Sequence, residues 1–99
     1  MIRWTERAVA DLLEIGDSIA ADNPTAARAW VERLRHHAVL VAKTPRAGRI
    51  VPELGRDDVR ETFVRSYRIV YRVVPEGIVV LTVFEGHRLL GHVNPDTDE

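Results

Sequence analysis

Two stretches with apolar residues three or four apart are followed by three in which they recur at every second position. In the first stretch Val9, Leu12, Leu13, Gly16, Ile19 and Ala20 fall on one helical face, with Arg7, Asp11, Glu14 and Ser18 on the other. Thr5 is a suitable N-cap for this helix, which ends near Asp22. Gly16 costs up to ~1 kcal/mol relative to Ala inside a helix, and close packing on a second helix is the expected return. Asn23-Pro24 is a restart signal, a capping side chain followed by proline at the first helical position. Ala27, Trp30, Val31, Leu34, Ala38 and Val41 continue a second stripe to about Ala42. Two helices joined by so few residues pack as an antiparallel hairpin.

The short apolar start, Met1–Trp4, reads as a strand. Lys43–Gly55 carries Pro45, Gly48, Pro52 and Gly55, and reads as a loop with at most one extended piece near Ile50-Val51. Val59–Val64, Tyr67–Val74 and Ile78–Phe84 alternate and are rich in β-branched and aromatic residues. Arg65-Ser66 and Pro75-Glu76-Gly77 turn the chain between them, giving an antiparallel meander. The expected architecture is α+β, in the order β-α-α-β-β-β, with the hairpin on one face of a small, mostly antiparallel sheet. Residues 1–93 form one domain in this reading, and residues 94–99 a frayed acidic tail.

Composition narrows the class. The chain has 99 residues and no cysteine, so disulfides, thiol catalysis and Cys-based zinc sites are excluded, and a reducing cytoplasm suits it. No apolar run is long enough to cross a membrane, and the charged start carries no export signal. The formal net charge of −1 hides a division. Residues 1–93 hold 14 basic and 12 acidic groups, and residues 94–99 hold three acids alone. Thirteen of the 14 cations are Arg, Lys43 being the exception, and Arg is the better forked donor to carboxylate or phosphate. A cationic excess this small is no nucleic-acid footprint.

No phosphate-binding glycine loop, nucleophile–base pair or metal-ligand set is present, so no cofactor or metal is implied. His36 and His37 are adjacent and point to different sides of a helix. The remaining constellation is cationic. Alternation along the strand puts Tyr67, Ile69, Tyr71 and Val73 under the helices, and Arg68, Val70 and Arg72 on the opposite face. Arg65 lies in the turn before this strand, and Arg88 follows the next one. Such a face suits a carboxylate or phosphate partner, unless its arginines are already paired with Glu61, Glu76 or Glu85.

The run Val59-Arg60-Glu61-Thr62-Phe63-Val64-Arg65-Ser66-Tyr67-Arg68-Ile69-Val70-Tyr71-Arg72-Val73 resembles the signature of the RelE/ParE superfamily of bacterial toxins, an Arg seven residues before a Tyr-Arg-x-x-Tyr strand. Trp4-Thr5 with Ala8, Asp11-Leu12 and Ile15 is similar to the superfamily's start. Thr44-Pro45-Arg46-Ala47-Gly48-Arg49 is similar to its Pro-x-x-Gly-Arg loop, and Gly86-His87-Arg88 to its ending. The likeness covers about residues 2–90. It implies a two-helix hairpin on a small antiparallel sheet, with Arg60, Tyr67 and Tyr71 as structural motif residues.

The resemblance also implies two mechanisms. RelE-type members are ribosome-dependent messenger RNA endoribonucleases. Their surface uses lysines on the first meander strand, two arginines and a C-terminal Tyr. The arginines match Arg68 and Arg88, but the lysine positions fall on Val59 and Glu61, and no Tyr follows Tyr71. ParE-type members lack this set and are associated with poisoning DNA gyrase. The chain looks closer to them. The resemblance thus implies a cytoplasmic toxin that binds DNA gyrase through Arg68, Arg88, Arg65 and Arg72, and is neutralised in a hetero-oligomer by a cognate antitoxin. Two alternatives stay open. One is a ribonuclease acting on the ribosome and messenger RNA through Arg68, Arg88 and His87. The other is a degenerate toxin that retains only antitoxin binding.

Overall fold

A computed structural model describes all residues, Met1–Glu99. The elements are β1 (Ile2–Trp4), α1 (Glu6–Ala20), α2 (Pro24–Val41), β2 (Arg49–Ile50), β3 (Val59–Val64), β4 (Tyr67–Val74) and β5 (Gly77–Glu85), with a single 3-10 turn at Pro45–Ala47. The sheet order is β1-β5-β4-β3-β2, so the Tyr-Arg-x-x-Tyr strand is central. All pairs are antiparallel except β1 with β5. The extended piece expected near Ile50-Val51 is β2, which pairs with β3 at Glu61 and Arg60.

Caps define both helices. The Thr5 hydroxyl accepts from the Ala8 N–H at 3.1 Å and donates to the Leu81 carbonyl, tying the start of α1 to β5. The Asn23 side chain accepts from the Ala26 N–H, and Pro24 opens α2. Gly16 lets the helices approach, because a Cβ there would stand 3.0 Å from Val31. No helix is long and apolar enough to cross a membrane.

Where β1 stops, α1 takes over the edge of β5. Thr5 N–H donates to the Val80 carbonyl, and the Asp11 carboxylate accepts from the Thr82 hydroxyl and the Val83 N–H. Asp11 is therefore not on the solvent side of α1, as its helical position suggests. It satisfies strand donors that β1 is too short to reach.

The helix-covered core holds Ala8, Leu12, Leu34, Ile69, Tyr71 and Val80, with Trp30, Tyr67 and Val73 packed against it. Trp30 and Tyr67 meet edge to face at 5.3 Å. Val9 and Leu13 are corrections. The side of α1 that packs on the sheet runs through Ala8, Leu12 and Ile15, which leaves Val9 exposed and Leu13 61% exposed on the outer flank.

The opposite sheet face is not bare. Val51, Val59, Val70, Val79 and Leu81 form a second cluster, roofed by Leu54, Leu90 and Val93 from the flanking segments. The acidic tail, expected to fray, lies along this face. Arg72 donates to the Pro95 carbonyl and pairs with Asp98, and Arg56 pairs with Asp96. Cations on the sheet and in the loop before β3 give the tail carboxylates partners that a view of the tail alone omits.

Candidate functional site

Strand register brings the candidate residues into rows on the helix-free face. One row runs Phe63, Arg68, Phe84, and the row beside it starts Glu61, Val70. Arg68 is only 6% exposed, and Glu61 only 1%. The Arg68 Nε donates to Glu61 Oε1 at 2.5 Å, and its two terminal nitrogens donate to the Glu53 carboxylate at 3.1 and 2.7 Å. Its guanidinium lies 5.2 Å from the Phe84 ring centroid. Glu61 accepts also from Arg49, through Nε at 2.7 Å. Two carboxylates and two guanidiniums thus close a neutral network, and Arg68 has no free fork to offer an anion.

Glu53 shows the strength of this coupling. Hydrogen bonding to Arg68 holds its carboxyl at about 2, against an ordinary value of 4.5. The folded state therefore binds this proton less readily than the unfolded state. The stabilisation is complete above about pH 4.5 and is lost as pH falls towards 2. A melting series from pH 6 to pH 2 is expected to show the decline, and Glu53→Gln to flatten it.

Arg60 supports the loop that carries Glu53. It donates to the carbonyls of Asp57, Arg46 and Gly48 at 2.9, 3.0 and 3.0 Å, and to the Asp57 carboxylate at 2.8 Å. Tyr71 is fully buried, and its hydroxyl donates to the Pro45 carbonyl at 2.6 Å. Burial raises the pKa of both Tyr67 and Tyr71, so neither phenol ionises near neutrality. Gly48 is required beside Tyr71, since a Cβ there would come within 2.1 Å of the phenol oxygen. Arg60→Ala is expected to cost about 2 kcal/mol, readable as a lower Tm, because several charge-assisted bonds to backbone disappear together.

The other predicted cations divide. Arg72 is held by the tail. Arg65 and Arg88 are exposed, with no ion pair or side-chain hydrogen bond. They occupy one end of the sheet, where the Gly86 N–H donates to the Ser66 carbonyl and joins their two turns. Arg65 takes φ 56°, a left-handed conformation uncommon outside glycine. Arg88 lines a cleft of about 270 Å³ with Asp11, Glu14, Tyr67, Phe84 and Glu85. His87 is exposed, 3.9 Å from Glu85. His36 is exposed, whereas His37 bonds Thr62 at 3.0 Å. Burial, then the neighbouring Arg33 and His36, lower the His37 pKa. No three His, Asp or Glu side chains converge as a metal site would need.

Val59 and Glu61 are both buried. Glu53 is the partner that sequence reasoning missed. It comes from a loop whose path no periodicity reveals. The sequence offered Glu61, Glu76 and Glu85 as acids for the arginine face, and of these only Glu61 pairs with Arg68.

Two helices on one face of a five-stranded sheet centred on this motif strand are consistent with the ParE-like α+β fold. A family model described as "ParE toxin of type II toxin-antitoxin system, parDE" matches residues 2–90, and the chain belongs to that family. Among solved structures it is similar to one titled "Chromosomal ParDE TA system from P. aeruginosa", at 22% identity over 85% of this chain and 92% of that one, with a TM-score of 0.70. That identity speaks for a shared fold. No curated protein matches.

Proposed function

We propose that this ParE-type toxin arrests growth by binding DNA gyrase and is neutralised by a cognate antitoxin. The observation that carries the choice of target is the closed helix-free face. Cleavage of RNA by 2′-hydroxyl attack on phosphorus needs a proton acceptor, a proton donor and cations for developing charge. Here the matching arginine is neutralised, and the matching strand positions are a buried valine and a buried glutamate. What is left free is a binding surface, Arg65 and Arg88, whose guanidiniums do not act as bases at neutral pH. Arg68 and Arg72 shape and balance the neighbouring face and contribute to the target indirectly.

The antitoxin reading rests on the hairpin. Leu13, Gly16, Ala20, Ala27 and Val31 line a shallow groove of about 300 Å³ along the outside of the two helices. Val9 and Leu13 are exposed beside it with no cover from this chain. A segment that folds on binding can seat an apolar stripe in such a groove. Controlled expression is expected to stop growth with DNA-damage signalling while bulk messenger RNA stays intact, and co-expression of the neighbouring antitoxin to restore growth. Loss of translated messenger RNA within the first minutes would instead favour the ribonuclease.

A further inference from the structure

The tail is bound as a peptide ligand would be. One row across the helix-free face reads Arg3, Val79, Arg72, Val59 from β1 to β3. Asp98 pairs with both Arg3 and Arg72. Asp96 pairs with Arg56 at 2.9 Å. Val93 and Leu90 lie on the apolar cluster beneath. The backbone takes part as well: Arg72 donates to the Pro95 carbonyl at 2.9 Å and towards the Thr97 carbonyl at 3.4 Å, and the Glu99 carbonyl accepts from the Glu6 N–H.

We propose that this groove is a docking site for an acidic segment of a partner protein, bent as the tail is at Pro95-Asp96, which the chain's own tail occupies until it is displaced. The pattern recognised is an apolar residue followed at the third and fifth positions by acids, as in Val93, Asp96 and Asp98. Two of the acceptors for Arg72 are peptide carbonyls, and the apolar anchors need a side chain. Both features select a peptide over a phosphate backbone. The latch is weak enough to exchange. Asp96 and Asp98 are mostly exposed in their pairs with Arg56, Arg3 and Arg72, and exposed ion pairs are screened and weak. Arg68, by contrast, is locked below and takes no part. The tether gives the tail the advantage of a high effective concentration, so a partner must present several of these contacts at once. This site lies on the sheet face away from the hairpin groove, and it stands whichever target the toxin engages.

The test uses the full-length chain and a fluorescent peptide of residues 90–99. Asp96→Lys/Asp98→Lys is expected to release the tail, to raise amide exchange over residues 92–99, and to bind the peptide at least about tenfold more tightly than the unaltered chain. Adding Arg72→Ala to that variant is expected to abolish binding, and salt to weaken it. Asp98→Asn gives the same comparison if charge reversal lowers the yield of folded protein. Equal binding to both chains, or no binding to a released and folded chain, overturns the proposal. So does tighter binding of a DNA duplex than of the peptide, or concentration-dependent dimers of the unaltered chain built by tail exchange.

Discussion

Arg68→Ala is expected to destabilise the fold by about 3–5 kcal/mol, the usual cost of removing one member of a buried ion pair. Glu61 is fully buried, and without Arg68 it keeps only Arg49, whose side chain is largely exposed. Glu53 loses its anchor at the same time, and with it the loop from Val51 to Asp58 loses one of its ties to the sheet. For a domain of this length that loss lowers Tm by more than about 12 °C. The double change Arg68→Met/Glu61→Met is expected to be more stable than Arg68→Ala alone, because both buried charges leave together and volume is kept. Thermal melts of the three variants decide it. An unchanged Tm with lost toxicity would make Arg68 a contact to the target instead of a girder of the face.

The second large effect is expected at Leu13. The residue is 61% exposed at the lip of the hairpin groove, so Leu13→Glu should change folding stability by less than about 0.5 kcal/mol. If an antitoxin seats its apolar stripe there, burying a carboxylate in place of Leu13 weakens the complex by at least about 2 kcal/mol, near thirtyfold in Kd. The variant would then be toxic even with antitoxin present. Leu89, 88% exposed and outside this groove, is the control, and Leu89→Glu should leave the affinity unchanged. Titration of purified antitoxin against the three chains measures this directly.

The contrast between these two residues shows what the sequence made legible. Alternation alone put Arg68 opposite the helices and Tyr67, Ile69 and Tyr71 beneath them, because a strand residue's face follows from parity. Both helices and all three meander strands were legible from their own periods, and Thr5 and Asn23 from their capping side chains. Leu13 was not. An apolar residue on a helix flank fits the core face or a partner equally well, and the choice is made by how the helix rolls on the sheet. The parallel pairing of β1 with β5 joins segments more than 70 residues apart, which no local pattern encodes. The charge state of the arginine face was legible only at Glu61, which the sequence offered as a partner and which pairs with Arg68. Its acids come from β3, from the loop at Glu53 and from Asp96 and Asp98 in the tail, three segments that only the fold assembles.

One measurement tests the central claim most directly. Purified chain is incubated with DNA gyrase, ATP and supercoiled DNA, and in parallel with translating ribosomes and messenger RNA. Binding without nuclease chemistry predicts gyrase–DNA cleavage complexes that rise with the concentration of the chain, weaken on Arg88→Ala and disappear when antitoxin is added, while the messenger RNA stays whole. Cleaved messenger RNA on the ribosome, with no cleavage complexes on gyrase, would contradict the account.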